Sequence, residues 1–185
     1  MAEKVFVAKW YHMIFYPDWL RRLIEKPHRY LSELVTAGMR VADVGCGTGF
    51  HSCLLAEMVG GQGHVFAVDL QAEMLHLARK KAQRANLLDR ITFRQCTPDD
   101  INLAEPLDFI LTVYVVHEAP DRRRFLKQLR AILKPAGKYL LVEPKFHVEE
   151  EVFDDTCQDA LDLGFIKISE PKIPFGYAAL FTTAS

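Results

Sequence analysis

Residues 41–49 read Val41-Ala42-Asp43-Val44-Gly45-Cys46-Gly47-Thr48-Gly49, a hydrophobic run that passes directly into a glycine-rich turn, and a helical stretch begins at its end. Glycine permits positive φ and lets a ligand lie against bare main chain, while a helix start offers unpaired N–H groups. A strand, turn and helix of this kind can hold a nucleoside-bearing ligand. The dinucleotide fingerprint G-x-G-x-x-G/A uses similar geometry. Counted from Gly45, its sixth position is Phe50, where close packing of helix on strand requires Gly or Ala, and this weakens an NAD reading.

Working outward, short β-branched runs alternate with amphipathic helices from Arg40 onward, the pattern a parallel sheet with crossover helices requires. Strands are predicted near 40–44, 64–68, 90–95, 107–113 and 138–142, with helices near 49–59, 71–85 and 121–133. The last of these is capped around Asp121 and stopped by Pro135 and Gly137. A helix near 149–163 follows, stopped at Gly164, and then strands near 165–168 and 176–182. The expected fold is therefore α/β, a single Rossmann-like doubly wound sheet, mostly parallel with an antiparallel C-terminal hairpin. Residues 1–39 precede it as an aromatic helical cap of the same domain, carrying Trp10, Tyr11, Phe15, Tyr16 and Trp19. Its helix starts at about Asp18, is interrupted near Pro27 and resumes to Val35. Residues 40–185 form the main body. In such a fold the ligand sits at the carboxyl ends of the strands, where the winding reverses.

Composition narrows the function. The chain has 185 residues, 50% hydrophobic and 25% charged, which suits one compact domain rather than disorder. Lys plus Arg number 23 against 24 Asp plus Glu, a net charge of −1. The broad positive field that binding a phosphate backbone needs is missing, so nucleic acid is not expected as a partner. The four cysteines, Cys46, Cys53, Cys96 and Cys157, are scattered without a CxxC pair. That spacing predicts reduced thiols and a cytoplasmic protein. No apolar run reaches the ~18 residues of a membrane span, and no cleavage site follows an apolar core as in a signal peptide.

The turn at 43–49 resembles motif I of the class I S-adenosylmethionine-dependent methyltransferases, with Asp43 two residues before Gly45 and further glycines at Gly47 and Gly49. The resemblance extends over about residues 40–144. Val65-Phe66-Ala67-Val68-Asp69 looks like the second strand, ending in a carboxylate 24 residues after Gly45. Residues 107–118, from Leu107 through Thr112, Tyr114, His117 and Glu118, look like the fourth strand and the segment bordering the transferred methyl. Leu133-Lys134-Pro135-Ala136-Gly137 looks like the family's L-K-P-G-G turn. The chain is similar to small methyltransferase-domain proteins of the type 11/25 kind.

That resemblance implies S-adenosyl-L-methionine as cofactor, held by Asp43, Gly45, Cys46, Gly47, Gly49, Asp69, Leu70, Thr97, Pro98 and Thr112. Asp69 would accept from both ribose hydroxyls, which suits an acceptor-only group at a strand end. The family usually places an acidic and a small residue after the third strand, near the adenine; here those positions read Thr97 and Pro98. The adenine amino group could then meet Asp99, the Thr97 hydroxyl or a backbone carbonyl.

His117, Tyr114 and Glu118 are the candidate catalytic residues. His117, with an ordinary pKa of ~6.5, suits a proton acceptor; the bland alternatives are a solvent-facing loop for His117 and Glu118, and core packing for Tyr114. Glu143 either faces the crevice or caps a turn. The aromatic stretch from Trp10 to Trp19 either covers the sheet or forms a lid. Arg122-Arg123-Arg124 reads as a solvated helix face. His51 and Cys53 beside Cys46 match no metal-ligand spacing, so no metal is expected. The expected reaction is in-line methyl transfer to a small-molecule acceptor, with room for a homodimer. The rivals are a catalytically silent cofactor-binding scaffold or sensor and, third, an NAD-dependent oxidoreductase.

Overall fold

In the computed structural model, which describes residues 18–184, α1 (Asp18–Glu25) and α2 (His28–Leu31) lead into β1 (Arg40–Val44). Then follow α3 (Phe50–Val59), β2 (His64–Asp69), α4 (Ala72–Arg84), β3 (Ile91–Gln95), β4 (Leu107–Val113), α5 (Arg122–Ile132), β5 (Leu133–Pro144), α6 (Glu150–Asp162), β6 (Ile166–Ser169) and β7 (Gly176–Thr182). The seven strands form one sheet in the order β3-β2-β1-β4-β5-β7-β6. β1 to β5 are parallel, and β7 runs antiparallel between β5 and β6. The winding reverses between β1 and β4, which puts the ligand crevice beyond their carboxyl ends.

Strand alternation assigns the two faces of the sheet. Val41, Phe109, Leu111, Leu140 and Val142 pack toward α3 residues such as Leu54 and Leu55. Ala42, Val44, Ile110, Tyr139 and Leu141 pack toward Leu126 and Leu129 of α5 and Phe153 and Ala160 of α6. With both faces covered, the strands read as nearly continuous apolar runs. The helices show what each side demands. α3 is buried almost all round, whereas α4 buries the single stripe Met74, Ala78 and Ala82.

Three expectations change. β5 begins at Leu133, earlier than predicted, because Leu133 already pairs with Leu107; the chain then bulges, with Ala136 at φ 58°, and pairing resumes with Lys138 opposite Phe109. Helix α2 stops at Leu31 and residues 32–34 continue as turns, so the helix expected to reach Val35 is shorter. Arg122 and Arg123 bridge to Asp159 of α6, and Arg124 to Asp99, so this cluster ties elements together instead of merely facing solvent. Trp10, Tyr11, Phe15 and Tyr16 lie outside the described residues. Trp19 is 67% exposed and so does not cover the sheet.

Candidate functional site

Beyond the carboxyl ends of β1, β2 and β4 lies a cleft of about 460 Å³, within the ~300–1,000 Å³ typical of cofactor and small-molecule sites. The glycine turn forms its floor. Gly45 has φ 77°, and a Cβ there would lie 2.1 Å from Val115 Cγ2. Gly49, at φ 79°, caps α3, and its Cβ would lie 2.7 Å from that of Ala78. Four of the turn's N–H groups are already paired. Those of Gly45 and Cys46 donate to the Val68 carbonyl, that of Gly47 to Asp69 Oδ2, and that of Gly49 to the Cys46 carbonyl. These four residues therefore offer a ligand close approach to the main chain and not free donors.

Two buried carboxylates shape the turn. Asp43 accepts from the Ser52 hydroxyl of α3 at 2.5 Å. Burial raises its pKa to about 6, Asp69 adding to the rise while the Ser52 hydrogen bond opposes it. Asp43 supports the cleft from below without lining it. Asp69 does line it, with Oδ2 accepting from Gly47 N at 2.8 Å and Oδ1 from Gln71 N at 2.9 Å. The Leu70 N–H also bonds this carboxylate, and with about four acceptor sites on a carboxylate some acceptor capacity remains. Burial also raises the Asp69 pKa, against the pull of these backbone hydrogen bonds.

Gly45, Cys46, Gly47, Asp69, Leu70, Thr97, Pro98, Tyr114, His117 and Glu118 all line the cleft. Asp43, Gly49 and Thr112, all predicted to hold cofactor, do not. Gly49 faces Ala78 of α4, although Phe50 and His51 just beyond it line the cleft. Thr112 is fully buried on the α5/α6 side, with its hydroxyl 2.9 Å from the Tyr139 hydroxyl. Alternation puts Thr112 on the wrong face, while Val113 and Tyr114 reach the rim. Of the three adenine partners weighed, the Asp99 carboxylate is taken up by Arg124 at the surface. Asp100, which the sequence reading passed over, lines the cleft instead, with Oδ1 accepting from Asn102 N at 2.7 Å.

The opposite wall is built after β4 and β5. Tyr114 sits at φ 62°, a left-handed conformation that is strained for a non-glycine residue, its N–H bound to the Val142 carbonyl and its ring edge-on to Phe146. Burial pushes its hydroxyl pKa up to about 12. Glu143, at 1% exposure, accepts from the N–H groups of Val115 and Val116 with Oε1 and meets His117 Nδ1 with Oε2. Burial lowers the His117 pKa, but the Glu143 hydrogen bond and charge, with Glu118 adding, outweigh it and leave the pKa above its ordinary value.

A further group was not foreseen: Arg21 of α1 and His51 of α3 line the cleft. Arg21 lies 4.2 Å over the Phe50 ring and is paired with Glu25, and His51 Nε2 lies 3.4 Å from the Tyr30 hydroxyl and 3.8 Å from Glu25. Burial, with Arg21 and Lys81 nearby, lowers the His51 pKa to about 3, so this imidazole is neutral. The only signal in the sequence was its place directly after the glycine turn; Arg21 left none, because contact across 30 residues is a tertiary fact.

S-adenosylmethionine fits these residues. The space at Gly45 tolerates no side chain, the cleft is large enough, and the buried Asp69 lines it with acceptor capacity left for a hydroxyl.

A family model described as a methyltransferase domain matches residues 35–172. The demethylmenaquinone methyltransferase of Lactobacillus johnsonii is 34% identical over 112 residues, 59% of this chain and 45% of that one. The ubiquinone/menaquinone biosynthesis C-methyltransferase UbiE of Vibrio vulnificus (strain YJ016) is 27% identical over 121 residues, 63% of this chain and 46% of that one. The chain spans about half the length of the curated relatives it matches. Among solved structures, a SAM-dependent methyltransferase from Aquifex aeolicus shares the fold with a TM-score of 0.79 at 24% identity, over 89% of this chain and 93% of that one. Since the family model matches most of the length that forms the sheet and its cleft, the chain belongs to the methyltransferase-domain family.

Proposed function

We propose that the protein transfers the methyl group of S-adenosylmethionine to a small-molecule acceptor bound between the glycine turn and the His117 wall. The observation that carries this reading is one cleft lined both by Asp69 with the Gly45–Gly47 main chain and by His117 backed by Glu143. The cofactor, when bound, supplies a sulfonium methyl that is already electrophilic. Asp69 accepts from the ribose hydroxyls, Gly45, Cys46 and Gly47 shape the floor for the amino-acid tail, and Leu70, Thr97, Pro98 and Asp100 border the adenine. Tyr114, Phe146 and His117 position the acceptor, and alignment of this kind can account for ~7–11 kcal/mol of a barrier. His117 takes the acceptor's proton.

The aromatic side chains of Tyr114, Phe146 and Phe50 that line the cleft favour a planar, partly apolar acceptor. The demethylmenaquinone methyltransferase and UbiE names make quinol-type compounds the first to try. Calorimetry with S-adenosylhomocysteine tests the cofactor half. Wild type is expected to bind, and Asp69→Ala to bind at least 10-fold more weakly; equal affinity removes the ribose role. A transfer assay with labelled methyl donor over a panel of quinols, phenols and amines tests the acceptor half. Tight cofactor binding without product across the panel would favour the scaffold reading.

A further inference from the structure

Glu143 is fully buried at the end of β5, and its carboxylate makes three contacts at once: Oε1 with Val115 N at 3.3 Å and Val116 N at 2.9 Å, and Oε2 with His117 Nδ1. Alternation along β5 places it on the same face as Tyr139 and Leu141 but one step past the packed core, at the crevice edge. A carboxylate only accepts hydrogen bonds, so in neutral His117 the ring proton belongs on Nδ1, and Nε2 keeps its lone pair. Held by the same carboxylate, Val115 fills the space left by the absent Cβ of Gly45. One buried side chain thus sets the tautomer of His117 and its register against the glycine turn.

We propose that Glu143 is the positioning residue of this site, locking His117 in the Nδ1–H tautomer so that Nε2 serves as proton acceptor, and hence that the acceptor's nucleophile carries a removable proton. The inference rests on the methyl-transfer reading for its chemistry. Its geometry concerns the protein alone. In the step, the O–H, N–H or S–H bond of the acceptor breaks, its electron pair stays on that heteroatom, and the proton ends on Nε2 of His117. The imidazolium so formed donates from Nδ1 to Glu143, which stays a carboxylate. The charged and titratable groups around the His117 ring are Glu143 from β5, Glu118 from its own turn, His147 from the loop after β5, at 5.2 Å between ring centroids, and Tyr114 at the end of β4 on the same cleft wall.

Glu143→Gln keeps the shape and leaves one oxygen. The N–H groups of Val115 and Val116 require that oxygen, so the amide NH2 faces His117 Nδ1 and forces the opposite tautomer, with Nε2 protonated. Long-range 1H–15N NMR of the full chain without ligand reads this directly, His117 being assigned by its loss in His117→Gln. Wild type is expected to show Nδ1–H in the neutral ring. Glu143→Gln should show Nε2–H and a lower His117 pKa, with the affinity for S-adenosylhomocysteine changed less than about threefold. With an acceptor in hand, kcat should drop ~10²–10⁴-fold at nearly constant KM. Nε2–H in wild type, read without any change at Glu143, overturns the proposal, as does an unchanged tautomer in a folded Glu143→Gln protein. If wild type shows Nδ1–H but binds no S-adenosylhomocysteine, the methyl-transfer reading fails and the locked tautomer stands.

Discussion

At the scale of single residues, the floor of the cleft holds two buried titratable groups displaced in opposite senses. Asp43 is raised to about 6, chiefly by burial, and His51 is lowered to about 3, chiefly by burial and then by the cations Arg21 and Lys81. Between the ordinary carboxylate pKa of ~3.9 and pH 6, the folded chain holds a proton on Asp43 that the unfolded chain has released. The stability from Asp43 is therefore fully present below pH 4 and is lost as pH rises through 6. His51 works the other way, because below ~6.5 the unfolded chain binds a proton that the fold refuses; its share is present above 6.5 and is lost as pH falls toward 3. Each slope is limited to one proton, ~1.4 kcal/mol per pH unit, and across pH 4–6 the two oppose. Urea unfolding from pH 4 to 7 should show Asp43→Asn losing stability on acidification more steeply than wild type, and His51→Gln losing it less steeply. Parallel curves for all three proteins would refute the balance. The place of Asp43 two residues before Gly45 was legible in the sequence, whereas its altered ionisation depends on burial and on Ser52 and Asp69 being brought close.

At the scale of elements, α1 is attached in an unusual manner. None of its residues is buried; Trp19, Leu23 and Ile24 point outward, while Asp18 meets Lys81 at 2.7 Å, Arg22 meets Glu57 at 3.2 Å and Arg21 stacks on Phe50. Exposed ion pairs contribute ~0–1 kcal/mol each, and salt screens them over a Debye length of ~3 Å at 1 M. Hydrogen exchange of residues 18–25 should therefore speed up markedly between 20 mM and 1 M NaCl, with α5 and α6, which dock through Leu126, Leu129, Phe153 and Ala160, little changed. Equal acceleration in all three helices would show that α1 is not held by charge. The sequence foretold a helix starting at Asp18, since local pattern sets helix formation. It did not foretell which face turns inward, because that depends on Lys81, Glu57 and Phe50, supplied by elements distant in the chain.

At the scale of the molecule, one sheet joins two apolar layers, and the Thr112–Tyr139 hydroxyl pair lies inside it, Tyr139 being packed against Phe165 and Phe181. Thr112→Val keeps the volume but strands the Tyr139 hydroxyl, which should lower global stability by ~1–3 kcal/mol in denaturant unfolding. S-adenosylhomocysteine affinity should stay at the wild-type value, since Thr112 does not line the cleft; a loss of affinity without a loss of stability would restore a binding role. Order along the chain determined the strands, the crossover helices, the glycine turn and the carboxylate at Asp69, because backbone propensity, alternation and turn chemistry act between near neighbours. Only the tertiary structure decided that Asp100 and not Asp99 faces the cleft, that Thr112 turns away, that Arg21 and His51 join the wall, and that Glu143 clamps His117. Each of these depends on which distant side chain fills a given space or takes a given proton, and no local pattern encodes that.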